Sequence, residues 1–339
     1  MSSEKIKKTA SVDDGALNLI VILLIACILI VVITGVYFIV SHANQPVNDD
    51  DKNDVAAGAN GDLPFRVQID TPSFVDNNCP IIESINSEYA IIVDATDSEI
   101  LATRRGTQMI YPASMTKVMT LIVVVENLKS EAALNDVITI SIPRGEHSGY
   151  GFEMDEKLTV EDLLYASILQ SDGVACIELA KYIAGSEAQF VKLMNEKAAE
   201  LGLGKSTLFQ NCSGLHHNYH YSTPYDMAVI MAYAMENPLC AKVLTAIKYN
   251  PSDNFRPGQG STFWHKFIHN HLDDGDIQPQ NATIIAGKTG LTEKETSGHC
   301  IVSYAKGADG HYYVSVTAKA KSWSANVDDI LYLFNAYVK

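Results

Sequence analysis

The pattern of hydrophobic and polar positions divides the 339-residue chain into four stretches. Residues 17–40 are nearly all Leu, Ile and Val, and across 16–41 the only ionisable side chains are Cys27 and Tyr37. A run of that length spans a bilayer as a helix. It is longer than the apolar core of a cleaved leader, and Ser41-His42-Ala43 matches a cleavage site only loosely, so a retained anchor is expected. Lys5, Lys7 and Lys8 precede the run, and Asp49, Asp50, Asp51 and Asp54 follow it. This orients residues 1–16 to the cytoplasm and the bulk of the chain outside. Residues 44–62, rich in Asn, Asp, Ala and Gly, show no hydrophobic period and read as a tether, within a linker drawn over 41–80. The folded body is expected over 81–339.

Within that body, 89–93 and 99–101 are strand-like and are separated by the turn-like Ala95-Thr96-Asp97-Ser98, which predicts a hairpin. The apolar run 118–125 predicts a buried helix entered through Pro112 and Ala113, with Ser114 in its first turn. A short strand is expected at 137–140. Helices are expected at 158–169, with Thr159 as N-cap and Glu161 and Asp162 in the first turn, and at 176–184, 187–201 and 226–235. Gly202 and Gly204 would end the third of these. Strands at 283–286, 300–305 and 312–318 and a helix at 327–337 complete the order. Such a series suits an α+β fold, in which one antiparallel sheet collects the early and late strands and the helices form a separate layer.

The net charge of −15 argues against nucleic acid, whose phosphates need Lys and Arg. A solvated acidic surface accounts for it. Of six cysteines, Cys27 lies in the apolar run; the other five show no redox or zinc spacing. Buried thiols are expected, with one or two disulfides left open. His216, His217 and His220 cluster, as do His265, His269 and His271, but neither group shows H-E-x-x-H or an evident third ligand. Surface-loop histidines, and no metal or other cofactor, are expected. Packing is the expected role of Trp264 and Trp323.

The chemistry centres on Tyr-Pro-Ala-Ser-Met-Thr-Lys, residues 111–117. Residues three apart share a helix face, so Lys117 can reach the Ser114 hydroxyl. A serine beside an amine able to take its proton is a nucleophile–base pair, and a helix N-terminus favours charge developing on an oxygen. S-x-x-K alone is weak, since a chain this long carries roughly one by chance. Further along, Gln-Ser-Asp-Gly places Ser171 at a turn between helices, and Gly287-Lys288-Thr289-Gly290-Leu291-Thr292 continues a strand whose glycines let a ligand approach the backbone.

S-x-x-K, then a serine, then K-T-G, widely spaced and in this order, resembles the serine penicillin-recognising enzymes. YPASMTKVMT, KLTVEDLL before QSD, NCSGL, HYSTPYDMA and AGKTGLT look like the low-molecular-weight D-alanyl-D-alanine carboxypeptidases, the S11 serine peptidases, over about residues 88–337. The resemblance implies a β-lactamase/DD-transpeptidase-like fold, with an antiparallel sheet packed between helices and a helical subdomain. It implies that Ser114 attacks the carbonyl between the last two D-alanines of a peptidoglycan stem peptide. Lys117 would be its base, with a pKa lowered by burial and by Lys288, and Ser171 would relay a proton to the leaving amine. Lys288 and Thr289 would hold the terminal carboxylate, Gly290 would leave room for it, and the N–H groups of Ser114 and Leu291 would form the oxyanion hole. β-Lactams would acylate Ser114, and membrane attachment would run through the N-terminal helix.

One position departs from the family pattern. Gly173 stands where Ser-x-Asn has its asparagine, whose amide helps fix the substrate backbone. No arginine follows Lys321 to help bind the carboxylate, a role left to Lys319 or Lys321. Gly173 keeps open a wall-binding or β-lactam-sensing protein that has lost turnover. A β-lactamase on the same fold is the other alternative, and no acidic residue is evident to activate a deacylating water.

Overall fold

The computed structural model describes residues 70–143, 145, 147–272, 275–292 and 296–339. The expected cytoplasmic segment, the helix at 17–40 and most of the linker lie outside the described residues. Among the described residues, no single helix is long and apolar enough to cross a membrane.

Five antiparallel strands form the main sheet in the order β2-β1-β9-β8-β7. They are β1 (Tyr89–Asp94), β2 (Glu99–Arg104), β7 (Ala282–Gly290), β8 (His299–Gly307) and β9 (Tyr312–Ala320). The β1–β2 hairpin closes where the Asp94 carboxylate accepts from the Thr96 and Asp97 amides at 2.8 and 2.9 Å, an Asx-type turn. On its other edge β1 runs against β9, from Tyr89 opposite Ala318 to Asp94 opposite Tyr313.

Successive side chains of a strand point to opposite faces, and β1 is apolar on both. Ile91 and Val93 enter one core, while Ala90 and Ile92 enter another. The sheet is therefore buried on both sides and packed between two helical layers, as the family resemblance implies. On one face lies α8 (Trp323–Tyr337), through Ile330, Leu333 and Phe334. The other face carries the helical body: α1 (Lys117–Asn127), α2 (Val160–Leu169), α3 (Gly173–Ala184), α4 (Glu187–Glu200), α5 (Pro224–Glu236) and α6 (Pro238–Leu244).

Local chemistry sets the ends of these helices. Thr159 Oγ1 accepts from the Asp162 amide and the Asp162 carboxylate accepts from the Thr159 amide, a reciprocal capping box at the start of α2. Asp172 caps α3 through the Ala175 amide. Gly202 follows α4 at φ +75, a left-handed conformation that glycine adopts without a Cβ penalty.

Three differences from the pattern are physical. The strand expected at 137–140 forms as β3 (Val137–Thr139), but it pairs with β4 (Lys157–Thr159) in a separate two-stranded ladder. A small hairpin, β5 (Lys248–Tyr249) with β6 (Phe263–Trp264), and the short α7 (Lys266–His271) fill a stretch to which no element was assigned. Packing also begins before residue 81. Phe74 is buried with its amide on the Tyr225 hydroxyl, and Val75 exchanges backbone hydrogen bonds with Ser98 and Ile100. This segment covers the free edge of β2, where unpaired backbone groups would otherwise face water.

Candidate active site

Ser114 sits in a 3-10 turn, Ala113–Thr116, that leads directly into α1. Two glycines allow this turn to pack as it does. A Cβ on Gly214 would lie 2.0 Å from the Ala113 carbonyl oxygen, and one on Gly290 would lie 2.8 Å from the Pro112 oxygen. Ala113 itself has φ +47, a strained conformation for a residue with a side chain. The surrounding packing thus fixes the turn before any ligand arrives.

Lys117 begins α1 and is 1% exposed. Its Nζ donates to Ser114 Oγ at 2.9 Å and to the carbonyl of Ser213. Burial lowers its pKa from the ordinary lysine value, while the nearby Cys176, Cys212 and Asp172 act in the opposite direction. A neutral amine retains N–H bonds for the Ser213 carbonyl and a lone pair for the Ser114 proton.

Ser171 lies between α2 and α3 at φ +55 and is nearly buried. Its hydroxyl accepts from Lys288 Nζ at 2.9 Å. Lys288, on β7, also donates to the Thr289 carbonyl at 2.8 Å. Burial holds Lys288 well below the usual lysine range, with the positive charge of Lys117 as a further cause. Two amines buried this close together do not both carry charge cheaply.

A cavity of about 420 Å³ opens over this centre. Ser114, Lys117, Gly173 and Leu291 of the expected residues line it, together with His147, Ser213, Gly214 and His216. Ser171 and Lys288 meet one another beside it. Thr289 is partly buried on β7, and Gly290 is packed beneath the Ser114 turn, so its missing side chain admits backbone rather than leaving open space. Lys319, one of the two cations considered for the carboxylate, is paired with Glu88 at 3.2 Å.

Sequence reasoning assigned no role to several residues that shape the site. The Asn211 carboxamide accepts from the Gly214 and Leu215 amides and donates to the Leu215 carbonyl, which folds residues 211–215 under Lys117. The quoted stretch NCSGL was the available signal. Asp172, buried at the head of α3, has its pKa raised by burial. His147 left no local signal.

His216 and His217 lie exposed in a loop, as expected, whereas His220 and His265 do not. His220 is buried; its Nδ1 accepts from the Gln210 amide and its Nε2 therefore donates to Thr116 Oγ1 at 2.8 Å, in the Ser114 turn. Burial lowers its pKa to about 3. His265 is also buried, and its pKa is likewise lowered to about 3. His216 packs edge-on to Tyr111, and His269 stacks on Trp264. Among the described residues, the grouping able to bring three metal-type ligand atoms together is Asp94, Asp97 and His311 at the β1–β2 turn, not either histidine cluster. The cysteines there, Cys79, Cys176, Cys212, Cys240 and Cys300, are free thiols, all but Cys79 buried.

Known proteins resemble this chain in sequence and in fold. D-alanyl-D-alanine carboxypeptidase DacF of Bacillus subtilis is 32% identical over 181 residues, 52% of this chain and 45% of that protein. DacC of Escherichia coli, also a D-alanyl-D-alanine carboxypeptidase, is 35% identical over 156 residues, 43% of this chain and 39% of that protein. The chain thus spans less than half the length of these two relatives. Penicillin binding protein 5 from Haemophilus influenzae has the same fold, with a TM-score of 0.63 over 75% of this chain and 71% of that one at 24% identity. Residues 76–322, which hold every element of the site, match the Peptidase S11 family of D-alanyl-D-alanine carboxypeptidases, and the chain belongs to that family.

Proposed function

We propose that the chain hydrolyses the terminal D-alanyl-D-alanine bond of peptidoglycan stem peptides through an acyl-enzyme on Ser114. The observation that carries this reading is the buried Lys117 amine 2.9 Å from the Ser114 hydroxyl, on a floor fixed by Gly214 and Gly290. Neutral Lys117 takes the hydroxyl proton as Oγ bonds to the substrate carbonyl carbon. The N–H groups of Ser114 and Leu291 receive the developing oxyanion. The proton held by Lys117 is relayed through Ser171, with Lys288 behind it, to the departing nitrogen; the C–N bond breaks and D-alanine leaves. Lys288 and Thr289 attract the terminal carboxylate of the substrate. Water then attacks the ester and returns the proton to Ser114. A β-lactam carbonyl acylates Ser114 by the same steps, but its amine stays tethered.

The apolar residues 17–40 are proposed as a membrane anchor, with the body on the outer side of a bacterial membrane. Their length and the lysines before them support this. An anchor of this kind keeps the site near newly made wall.

Intact mass measurement of the full-length chain with penicillin, beside Ser114→Ala, tests the centre. A single adduct on the parent and none on the variant is expected. D-Alanine release from a stem pentapeptide then separates a carboxypeptidase from a protein that only senses β-lactams. Absence of an adduct on the parent would overturn the assignment of Ser114.

A further inference from the structure

His147 and Ser148 line the cavity, and the segment they begin, residues 147–150, is drawn tightly over the start of α3. The Gly173 amide donates to the Ser148 carbonyl at 2.9 Å, and the Tyr150 amide donates to the Asp172 carboxylate at 2.8 Å. Gly149, at φ +146, makes the approach possible; a Cβ there would lie 2.0 Å from Asp172 Oδ2. This leaves the His147 ring directly over Gly173. A Cβ on Gly173 would lie 2.9 Å from His147 Nδ1, 3.0 Å from its Cβ and 3.1 Å from its Cγ. Any larger residue at 173 would claim the space that the imidazole holds. His147 and Gly173 both line the cavity that contains Ser114 and Lys117.

The absent side chain at 173 is therefore coupled to a polar ring delivered from another segment. A neutral imidazole carries one N–H donor and one acceptor nitrogen on separate edges. In His147, Nδ1 is buried against Gly173, so Nε2 is the ring nitrogen that can meet a peptide group in the cavity. We propose that His147 orients the substrate in this site, with its imidazole hydrogen-bonding the backbone of a bound D-alanyl-D-alanine peptide over Gly173. This rests on the reading of the cavity as the acylation site, and it assigns His147 a binding contact and no proton transfer.

The test uses the full-length chain carrying Ser114→Ala, so that binding is read without turnover, with diacetyl-L-lysyl-D-alanyl-D-alanine as the probe in titration calorimetry. His147→Phe keeps the ring and removes its polar edge; His147→Gln keeps a donor and acceptor without the ring. Phe is expected to weaken binding about tenfold or more, and Gln to stay within about threefold of the parent, since one or two hydrogen bonds are at stake. Gly173→Ala is expected to weaken binding with His147 present and to have little effect on a His147→Ser background, where no ring is displaced. Binding by His147→Phe within twofold of the parent, or an equal cost of Gly173→Ala in both backgrounds, would overturn the proposal for His147 alone. A parent that does not bind the peptide would overturn the reading of the cavity and this inference together. Thermal midpoints of each variant identify any that fail to fold, and the comparison of His147→Gln with His147→Phe stands without the Gly173 variants.

Discussion

Lys288 Nζ donates to Ser171 Oγ at 2.9 Å, joining the last long segment of the site to a turn in the helical body. Ser171 has φ +55, so the backbone is held in a left-handed conformation to aim that hydroxyl. Two groups linked in this way should act as a unit. Ser171→Ala and Lys288→Ala are each expected to slow acylation of Ser114 by roughly 10²-fold or more, the scale of a lost proton-transfer group. The double variant should be about as slow as the worse single one, rather than showing the product of both losses. Stopped-flow acylation with a fluorescent penicillin checks this.

The proposed mechanism fixes a pH dependence. With Lys117 as the base, acylation requires its neutral amine, so the rate should rise with pH through the pKa of Lys117. Burial lowers that pKa, so the rising limb should lie below the ordinary lysine value of about 10.4. Asp172 acts to raise the Lys117 pKa. Asp172→Asn keeps an oxygen to cap α3, loses the bond from the Tyr150 amide and removes the carboxylate, so the limb should move to lower pH. A rate profile that does not move would mean that the observed limb belongs to another group.

How much of this was legible depends on how local each signal is. The capping box at Thr159 and Asp162, the hairpin around Asp94 and the apolar stripe of α1 each follow from a few adjacent residues, and each was readable. The pairing of Ser114 with Lys117 also follows from helical spacing alone. By contrast, α6, α7 and the two-residue strands β5 and β6 are too short to show a period. The two helical layers came from the family resemblance rather than from periodicity: α1 is buried all round from Lys117 to Val125, so its pattern alone does not say which face of the sheet it covers. His147 lies outside any motif: its place over Gly173 depends on hydrogen bonds between residues 148 and 150 and residues 172 and 173. Buried His220 sits among exposed-looking polar neighbours, so composition pointed the wrong way.

Gly214 offers a structural test. Gly214→Ala combines φ +81 with a Cβ placed 2.0 Å from the Ala113 oxygen, so the Ser114 turn must shift. Gly185 has a similar φ of +77, but a Cβ there meets nothing within 4 Å. Gly185→Ala should cost about 1 kcal/mol, the backbone strain alone. Gly214→Ala should cost several times that and should also depress acylation. Urea denaturation and the acylation rate, measured on both variants, separate strain from displacement.

Buried neutral histidines make the fold sensitive to acid. His220 and His265 have pKa values lowered to about 3, against about 6.5 in an unfolded chain. Below pH 6.5 the unfolded chain takes up protons that the native state refuses, so stability falls as pH falls towards 3. Each histidine contributes a slope approaching about 1.4 kcal/mol per pH unit. His220→Gln should lower stability at neutral pH while flattening that slope between pH 6 and 4. Denaturation midpoints across this range provide the check.

The register of the sheet has a consequence for the timing of synthesis. Tyr89, near the start of the packed body, pairs with Ala318, close to its end. Strand β7, which carries Lys288, is reached from β1 only through β9 and β8. A ribosome-bound or truncated chain that has not released β9 therefore has Ser114 and Lys117 in sequence, but no completed sheet to bring Lys288 to Ser171. On the proposed function, reactivity toward a β-lactam would report whether the whole body has been made and closed.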